Sequence, residues 1–410
     1  MKHMLSLAAA VAAGVALAAP PVPKDSPEYR KAKELVEQLG SKKYREREKA
    51  AAELVKMGRA AKDALSEGKK SADTEVSDRC TQLLPQALAL DLAFRVDRFL
   101  KDTDGNLDHD LPLWKTYRDK IGSTANDRKL YAEMIKTNGA LLEAVEEEPD
   151  RLAERISLRV MEIYQALYGN AFGGGFRGGY SPGALNGAEV CVLMFAESQP
   201  AYKPSQPDWM LSNLYTQPAF INPLRDATNG TAHRKIFFHY LDARMDDNTL
   251  NQCSWVLCQY KIPGSAEVLA KAIKEGKATQ MYTKANAMCC LGTIGGREHV
   301  KVFEPYLKDD TVVQQGFIGR GRQGTIKVKD VALAMTIHLN GKNPKDYGFT
   351  AWQVYAGQPI NYGLLGFGGD EDRKKAFEKW AADAKSEPKK EEPKKPEPGK
   401  GDQKDGVKKD

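Results

Sequence analysis

Two stretches of this chain carry residues whose types and spacing could do chemistry. Gly173, Gly175 and Gly178 satisfy G-x-G-x-x-G, the pattern with which a strand-to-helix turn holds a dinucleotide pyrophosphate on backbone N–H groups. That chemistry needs a strand before the glycines and a helix after them. Here a helical pattern precedes them and Pro182 follows, so 169–187 reads as a glycine-rich loop, and no cofactor is assigned. Within it, Phe172, Phe176, Arg177 and Tyr180 are the candidate partner-binding residues. Their rings and guanidinium suit stacking on a partner or folding back on the helices.

The second stretch is Asp102, Asp104, Asn106, Asp108 and Asp110, whose alternating oxygens resemble a calcium loop. An EF-hand loop wants glycine at its sixth position and glutamate at its twelfth. Gly105 falls at the fourth and Leu113 at the twelfth. The stretch therefore reads as a polar turn, with Asp110 capping a helix that begins at Leu111 or Pro112, and no metal is assigned.

The remaining reactive side chains point the same way. His233 and His239 sit beside Phe237 and Phe238, His338 lies in an apolar helical pattern, and His299 opens a helix. Glu146, Glu147 and Glu148 belong to a charged helix end. The chain lacks a G-x-S-x-G elbow, an H-E-x-x-H helix and a cysteine in an activating motif. No catalytic residue is named, and the expectation is a protein that is not an enzyme. Of the six cysteines, Cys253 and Cys258 are five apart and point in different directions on one helix. Neighbouring Cys289 and Cys290 rarely bridge each other. Together with Cys80 and Cys191 they read as small buried hydrophobes, and without a C-x-x-C pair or close histidines they do not suggest zinc.

The elements that must position these residues are helical. Arg47-x-x-Ala50-x-x-x-Leu54-x-x-x-Gly58 returns as Lys284-x-x-Ala287-x-x-x-Leu291-x-x-x-Gly295. Steps of three and four put these residues on one helical face, with a small residue where a neighbouring helix approaches and a glycine as the stop. A first helix is expected from Ser26, carrying Ala32, Leu35, Val36 and Leu39; a second from Tyr44 to Met57; a third segment with Ala61, Ala64 and Leu65; and a fourth started by Ser71 or Asp73.

On these residues, "LVEQLGSKKYREREKAAAELVKMG" followed by "DTEVSDRCTQLL" resembles the HEAT-like repeats of exported bacterial proteins, in particular the planctomycete-type sets. "DHDLPLWKTYRDKIG", "LGTIGGREHVKVFEPYLKDDTVV" and "VKDVALAMTIHLNGKNPKDYGF" are similar to segments of the same group. The resemblance implies an all-α fold, an α-solenoid of antiparallel helix pairs, and repeat-mediated contacts. It implies no activity and no catalytic residues.

The expected organisation starts with an export signal over 1–18, with Lys2 before an apolar run and a small-x-small site at Ala16–Ala18, and a proline-rich leader over 19–27. HEAT-like helices over 28–95 come next, then a helical hairpin region over 96–168, with Leu113, Trp114, Tyr117 and Ile121 on one face and Leu152, Ile156, Val160, Ile163, Tyr164 and Leu167 on another. After the glycine-rich loop, C-terminal HEAT-like helices occupy 188–345, near 232–245, 248–261, 265–276, 280–294, 297–308 and 328–340, with a loop rich in proline and tryptophan before them. A β-hairpin is expected near 311–328, where β-branched residues flank a Gly-Arg-Gly turn. A capping segment over 346–385 carries Phe377 and Trp380, and a Lys/Glu/Pro tail over 386–410 is too poor in apolar residues to fold.

A formal net charge of +6 over 410 residues, with both signs interleaved, does not point to nucleic acid. No segment after the signal has the length and apolarity of a membrane span. The expectation is an exported protein, periplasmic or secreted, that acts as a non-catalytic binding scaffold for another protein or an envelope polymer. The alternatives are an enzyme or cofactor-binding protein with its site near the glycine-rich loop, and a structural envelope component. Self-association would mark the last of these.

Overall fold

The structure, a computed structural model, describes residues 26–104, 107, 109–168, 185–203, 209–318 and 321–386. The signal, most of the leader, the glycine-rich segment with Phe172, Phe176, Arg177 and Tyr180, and the tail beyond Ser386 lie outside the described residues. The chain divides into two compact units, Met1–Ile294 with Ala356–Pro359, and Gly295–Tyr355 with Ile360–Asp410. Among the described residues the protein is mostly helical, with sixteen α-helices and one two-stranded antiparallel hairpin.

The N-terminal unit begins with α1 (Pro27–Gln38), α2 (Tyr44–Met57), α3 (Lys62–Gly68) and α4 (Thr74–Lys101). Ser26 caps α1, its hydroxyl accepting from the Tyr29 N–H at 3.0 Å, with Pro27 at the first helical position. Asp73 caps α4 through the Glu75 N–H at 2.9 Å. α1 packs on α2 and α3, and α4 covers both of these. The spaced alanines and leucines, among them Ala32, Ala50, Leu54, Ala64 and Leu65, form a continuous core with Cys80. α4 runs through Pro85 to Lys101.

Gly58 ends α2 with φ +59° and ψ −129°, a conformation that only glycine adopts without strain. A Cβ there would lie 2.7 Å from the Asp91 Cβ on α4. Gly58→Ala is therefore expected to cost about 2 kcal/mol, read as a lowered urea midpoint with an unchanged slope.

Next come α5 (Trp114–Lys120), α6 (Ala125–Glu147) and α7 (Leu152–Tyr168). The expected faces are the buried ones: Leu113, Trp114, Tyr117 and Ile121 are all buried, as are all six α7 positions from Leu152 to Leu167. Asp110 is not the cap of α5, which corrects the sequence expectation. α5 starts at Trp114 after Leu113, which takes φ +57° and makes no side-chain cap, while the Asp110 carboxylate pairs with Arg59 and its carbonyl accepts from Arg95. The two arginines of neighbouring segments outcompete the helix N-terminus for this residue.

The rest of the unit consists of α8 (Gly187–Glu197), α9 (Trp209–Leu214), α10 (Pro218–Arg225), α11 (Thr231–Arg244), α12 (Asp247–Tyr260), α13 (Ser265–Lys274) and α14 (Met281–Ile294). Every residue of α8 is buried, as expected of a helix wrapped by α6, α7, α10 and α11. The segment expected to be a proline- and tryptophan-rich loop instead contains α9 and α10. Pro218 sits at the first position of α10, where its missing N–H has no intrahelical use, and Phe220, Ile221 and Leu224 give the turn a buried face.

The C-terminal unit opens with two 3-10 turns, Arg297–Val302 and Glu304–Lys308, where one α-helix was expected near 297–308. Pro305 sits in the first turn of the second segment, where its missing N–H costs nothing and its fixed φ starts a new turn. The hairpin follows as β1 (Val312–Ile318) and β2 (Arg322–Lys327), paired in antiparallel register from Val312↔Lys327 to Ile318↔Arg322 with an irregularity between Val312 and Gln314. α15 (Val328–Leu339) follows directly, buried from Val328 almost without interruption to Ile337, and α16 (Asp370–Ser386) closes the unit.

α16 does not dock mainly through its aromatics. Phe377 and Trp380 are half-buried, while Arg373 and Ala376 are the buried residues. Arg373 reaches the fully buried Asp330 on α15 with Nε at 2.8 Å and Nη2 at 3.1 Å, and also donates to the Thr325 carbonyl at 3.0 Å. A bidentate guanidinium–carboxylate pair is the anchor of this helix.

Candidate functional site

A cavity with convergent polar groups lies in the C-terminal unit. It has a volume of about 360 Å³ and is lined by residues from three separated segments, 346–350, 366–368 and 372–379. The first segment leaves the short 3-10 turn Pro344–Tyr347, and Gly348 takes φ +92° to turn the chain. The second is held as a short extension of the hairpin, because Thr325 and Phe367 exchange backbone hydrogen bonds of 3.1 and 3.2 Å. Gly366 permits that approach, since a Cβ there would meet Ile326 at 2.7 Å and the Thr325 carbonyl at 2.9 Å. The third is the first half of α16.

The floor is apolar and aromatic. Phe367, Tyr347 and Ala376 are buried, and Phe367 packs against Phe349 with ring centroids 4.8 Å apart. The Tyr347 hydroxyl donates to the Asp383 carboxylate at 2.6 Å, and burial raises its pKa, with the Asp383 bond adding to the effect. The rim carries both signs of charge. Asp372 and Lys375 project from α16, and Lys379 donates to the Asp346 carbonyl at 2.7 Å with its ammonium 5.2 Å from the centre of the Tyr347 ring. Lys375 lies 3.4 Å from Glu371 in an exposed pair. The lining contains no histidine and no cysteine. An aromatic floor with opposed rim charges can seat a side chain or a short polymer segment and fix its polarity by charge complementarity.

Phe172, Phe176, Arg177 and Tyr180 are outside the described residues, as are Gly105, Asn106 and Asp108 of the acidic stretch. Of the rest of that stretch, Asp102 accepts from the His109 Nε2 at 2.8 Å, and Asp110 is held by Arg59. Among the described residues, no group of three or more His, Cys, Asp or Glu side chains is placed to hold a metal ion. No described helix is long and apolar enough to cross a membrane. The His109–Asp102 pair was missed by pattern reading, because a seven-residue loop spacing carries no periodic signal.

Other buried polar groups of the N-terminal unit serve the packing. Asp127 accepts from Lys235 at 3.0 and 2.9 Å and from the Thr124 N–H and hydroxyl, tying α6 to α11. Glu189 takes Arg159 in two bonds of 2.9 and 3.0 Å and the Asn138 amide at 3.1 Å, where α6 is kinked at Asn138.

His233 is half-buried, and burial, reinforced by the neighbouring Arg234 charge, lowers its pKa from 6.5 to about 4. Burial also lowers those of His239 and His338. Because the folded state holds these rings neutral, the unfolded state takes up protons first as pH falls. Stability is thus expected to be full above about pH 6.5 and to decline towards about pH 4. Urea midpoints at pH 7.5 and 4.5 should differ in that direction, and the slope should flatten in His233→Gln.

Comparison with protein-family models, with curated proteins and with solved structures returns no match for this chain.

Proposed function

We propose that this protein is a non-catalytic binding scaffold of the bacterial cell envelope, built on HEAT-like helix pairs and exported to the periplasm or beyond. The helix pairs supply surface: α1 to α4 repeat an Ala-Leu packing face that returns in α14, where Ala287 and Leu291 are fully buried like Ala50 and Leu54. Stacked pairs of this kind use their core positions for one another and leave loops and outer faces for partners. The observation that carries the binding role is the composition of the C-terminal cleft. Its aromatic floor of Tyr347 and Phe367 lies under a rim of Asp372, Lys375 and Lys379, an arrangement suited to gripping a protein segment or an envelope polymer.

The test is charge reversal at the rim. Asp372→Lys with Lys375→Glu alters two exposed side chains and leaves Arg373 in place. Recovery of the partner from an envelope fraction by the full chain should fall by about tenfold or more while the melting temperature is kept. Equal recovery by wild type and variant would remove the cleft from the account. Absence of any reproducible partner, together with self-association on sedimentation, would favour the structural-component reading.

A further inference from the structure

α12 and α14 pack against each other, and their side-chain contacts follow the same order along both helices, as in a parallel pair. At the start the Asp247 carboxylate accepts the Thr279 and Gln280 N–H groups, both at 3.0 Å. One turn on, the Asn286 amide donates to Asn251 at 2.9 Å. At the far end the Cys258 side chain interacts with those of Cys290 and Thr293. Both cysteines are buried, with 1% and 3% of their surfaces exposed. Cys258 lies seven residues after Asn251 on α12 and Cys290 four after Asn286 on α14, so both cysteines fall on the helix faces that meet at this seam. A bridge there requires an S–S length of about 2.05 Å and a Cα separation of about 4.4–6.8 Å.

We propose that Cys258 and Cys290 form a cross-helix disulfide site that joins α12 to α14 when the chain folds against a disulfide oxidant. Of the six cysteines, these two are distinguished by a thiol partner on another helix. Cys80, Cys191 and Cys253 are buried, and burial raises their thiols. The contact with Cys290 instead lowers the pKa of the Cys258 thiol, and the same contact raises that of Cys290. With glutathione disulfide as oxidant, the Cys258 thiolate attacks one glutathione sulfur, forming a mixed disulfide and releasing one glutathione thiolate. The Cys290 thiolate then attacks the Cys258 sulfur, forming the Cys258–Cys290 bond and expelling the second glutathione. The protein loses two electrons and two thiol protons, and glutathione disulfide gains both as two thiols. Since both sulfurs are buried in the folded unit, closure takes place during folding or after local opening.

The full chain is refolded in a glutathione redox buffer, acid-quenched, denatured, labelled with N-ethylmaleimide and mapped by mass spectrometry. The expected result is maleimide on Cys80, Cys191, Cys253 and Cys289, with one linked peptide pair joining Cys258 to Cys290. The oxidised protein should melt roughly 5–10 °C above the same protein after reduction. Cys289→Ala should keep the linked pair and Cys290→Ala should lose it. Maleimide on all six cysteines of the wild type, or any linkage that omits Cys258 or Cys290, would overturn the proposal; neither outcome depends on a variant folding.

Discussion

Arg373→Ala is expected to destabilise the C-terminal unit by about 3–5 kcal/mol, because it leaves a carboxylate buried without its counter-ion. Asp330 is fully buried and Arg373 is 4% exposed. Their two bonds, with the Thr325 carbonyl and the Asp370 carboxylate completing the guanidinium's partners, join α15, β2 and the N-terminal turn of α16. Asp330 also accepts the Lys327 N–H at 2.9 Å, which caps α15. Burial raises the pKa of the Asp330 carboxyl, and Arg373 opposes that rise. Without the arginine the rise grows. The folded variant would then bind a proton more readily than its unfolded chain, so the loss should shrink as pH falls below the folded-state pKa. Arg373→Lys should recover only part of the stability, since an ammonium cannot reproduce the fork. Urea denaturation gives the magnitude, and hydrogen exchange in α15 and α16 locates it. A cost below about 1 kcal/mol would contradict the role given to this pair.

The second large effect is expected at Trp114, where truncation to alanine should cost about 3–5 kcal/mol in the N-terminal unit. Its indole is almost wholly buried and sits 4.6 Å from Phe99, 4.9 Å from Tyr131 and 5.9 Å from Tyr117 between ring centroids. The buried Arg128 guanidinium lies 4.3 Å over the Phe99 ring and 6.0 Å over the Trp114 ring. Alanine would open a cavity and remove one of the two faces that stabilise that cation. The cluster continues through Tyr117 to Phe195 on α8 at 5.4 Å, so the loss should be felt in the central helix. Trp114→Phe should cost less than half as much, because it keeps an aromatic face and most of the volume. Chemical denaturation of both variants, with exchange measured in α5, α6 and α8, checks the size and the order.

Much of the helical layout was legible because its signals are local. The span from Tyr44 to Met57 and the α7 face from Leu152 to Leu167 follow from apolar spacing, and the hairpin follows from its turn and β-branched flanks. The failures have identifiable causes. The helix expected near 297–308 is two 3-10 turns, the second starting with Pro305 in its first turn, and Pro218, taken as a loop marker, opens α10. The capping segment was expected to carry Phe377 and Trp380, yet Arg373 is the residue that turns inward, because Asp330 on α15, distant in sequence, accepts it. The cleft was illegible for a related reason. Its three segments carry no common period, and the Thr325–Phe367 bridge that brings the second of them into place is a long-range contact. The partner-binding residues read from the glycine-rich loop, Phe172, Phe176, Arg177 and Tyr180, lie outside the described residues.

The central claim is that a macromolecular partner occupies the C-terminal cleft and leaves it unchanged. The direct measurement is site-specific photocrosslinking in the native envelope, with p-benzoylphenylalanine in place of Lys375 on the rim and, as a control, in place of Lys56, which is exposed on α2. A reproducible adduct with one distinct protein or polymer is expected at position 375, absent at position 56 and unaltered in mass on prolonged incubation before irradiation. Equal labelling at both positions, no adduct at 375, or a captured species that is progressively converted to product would contradict it.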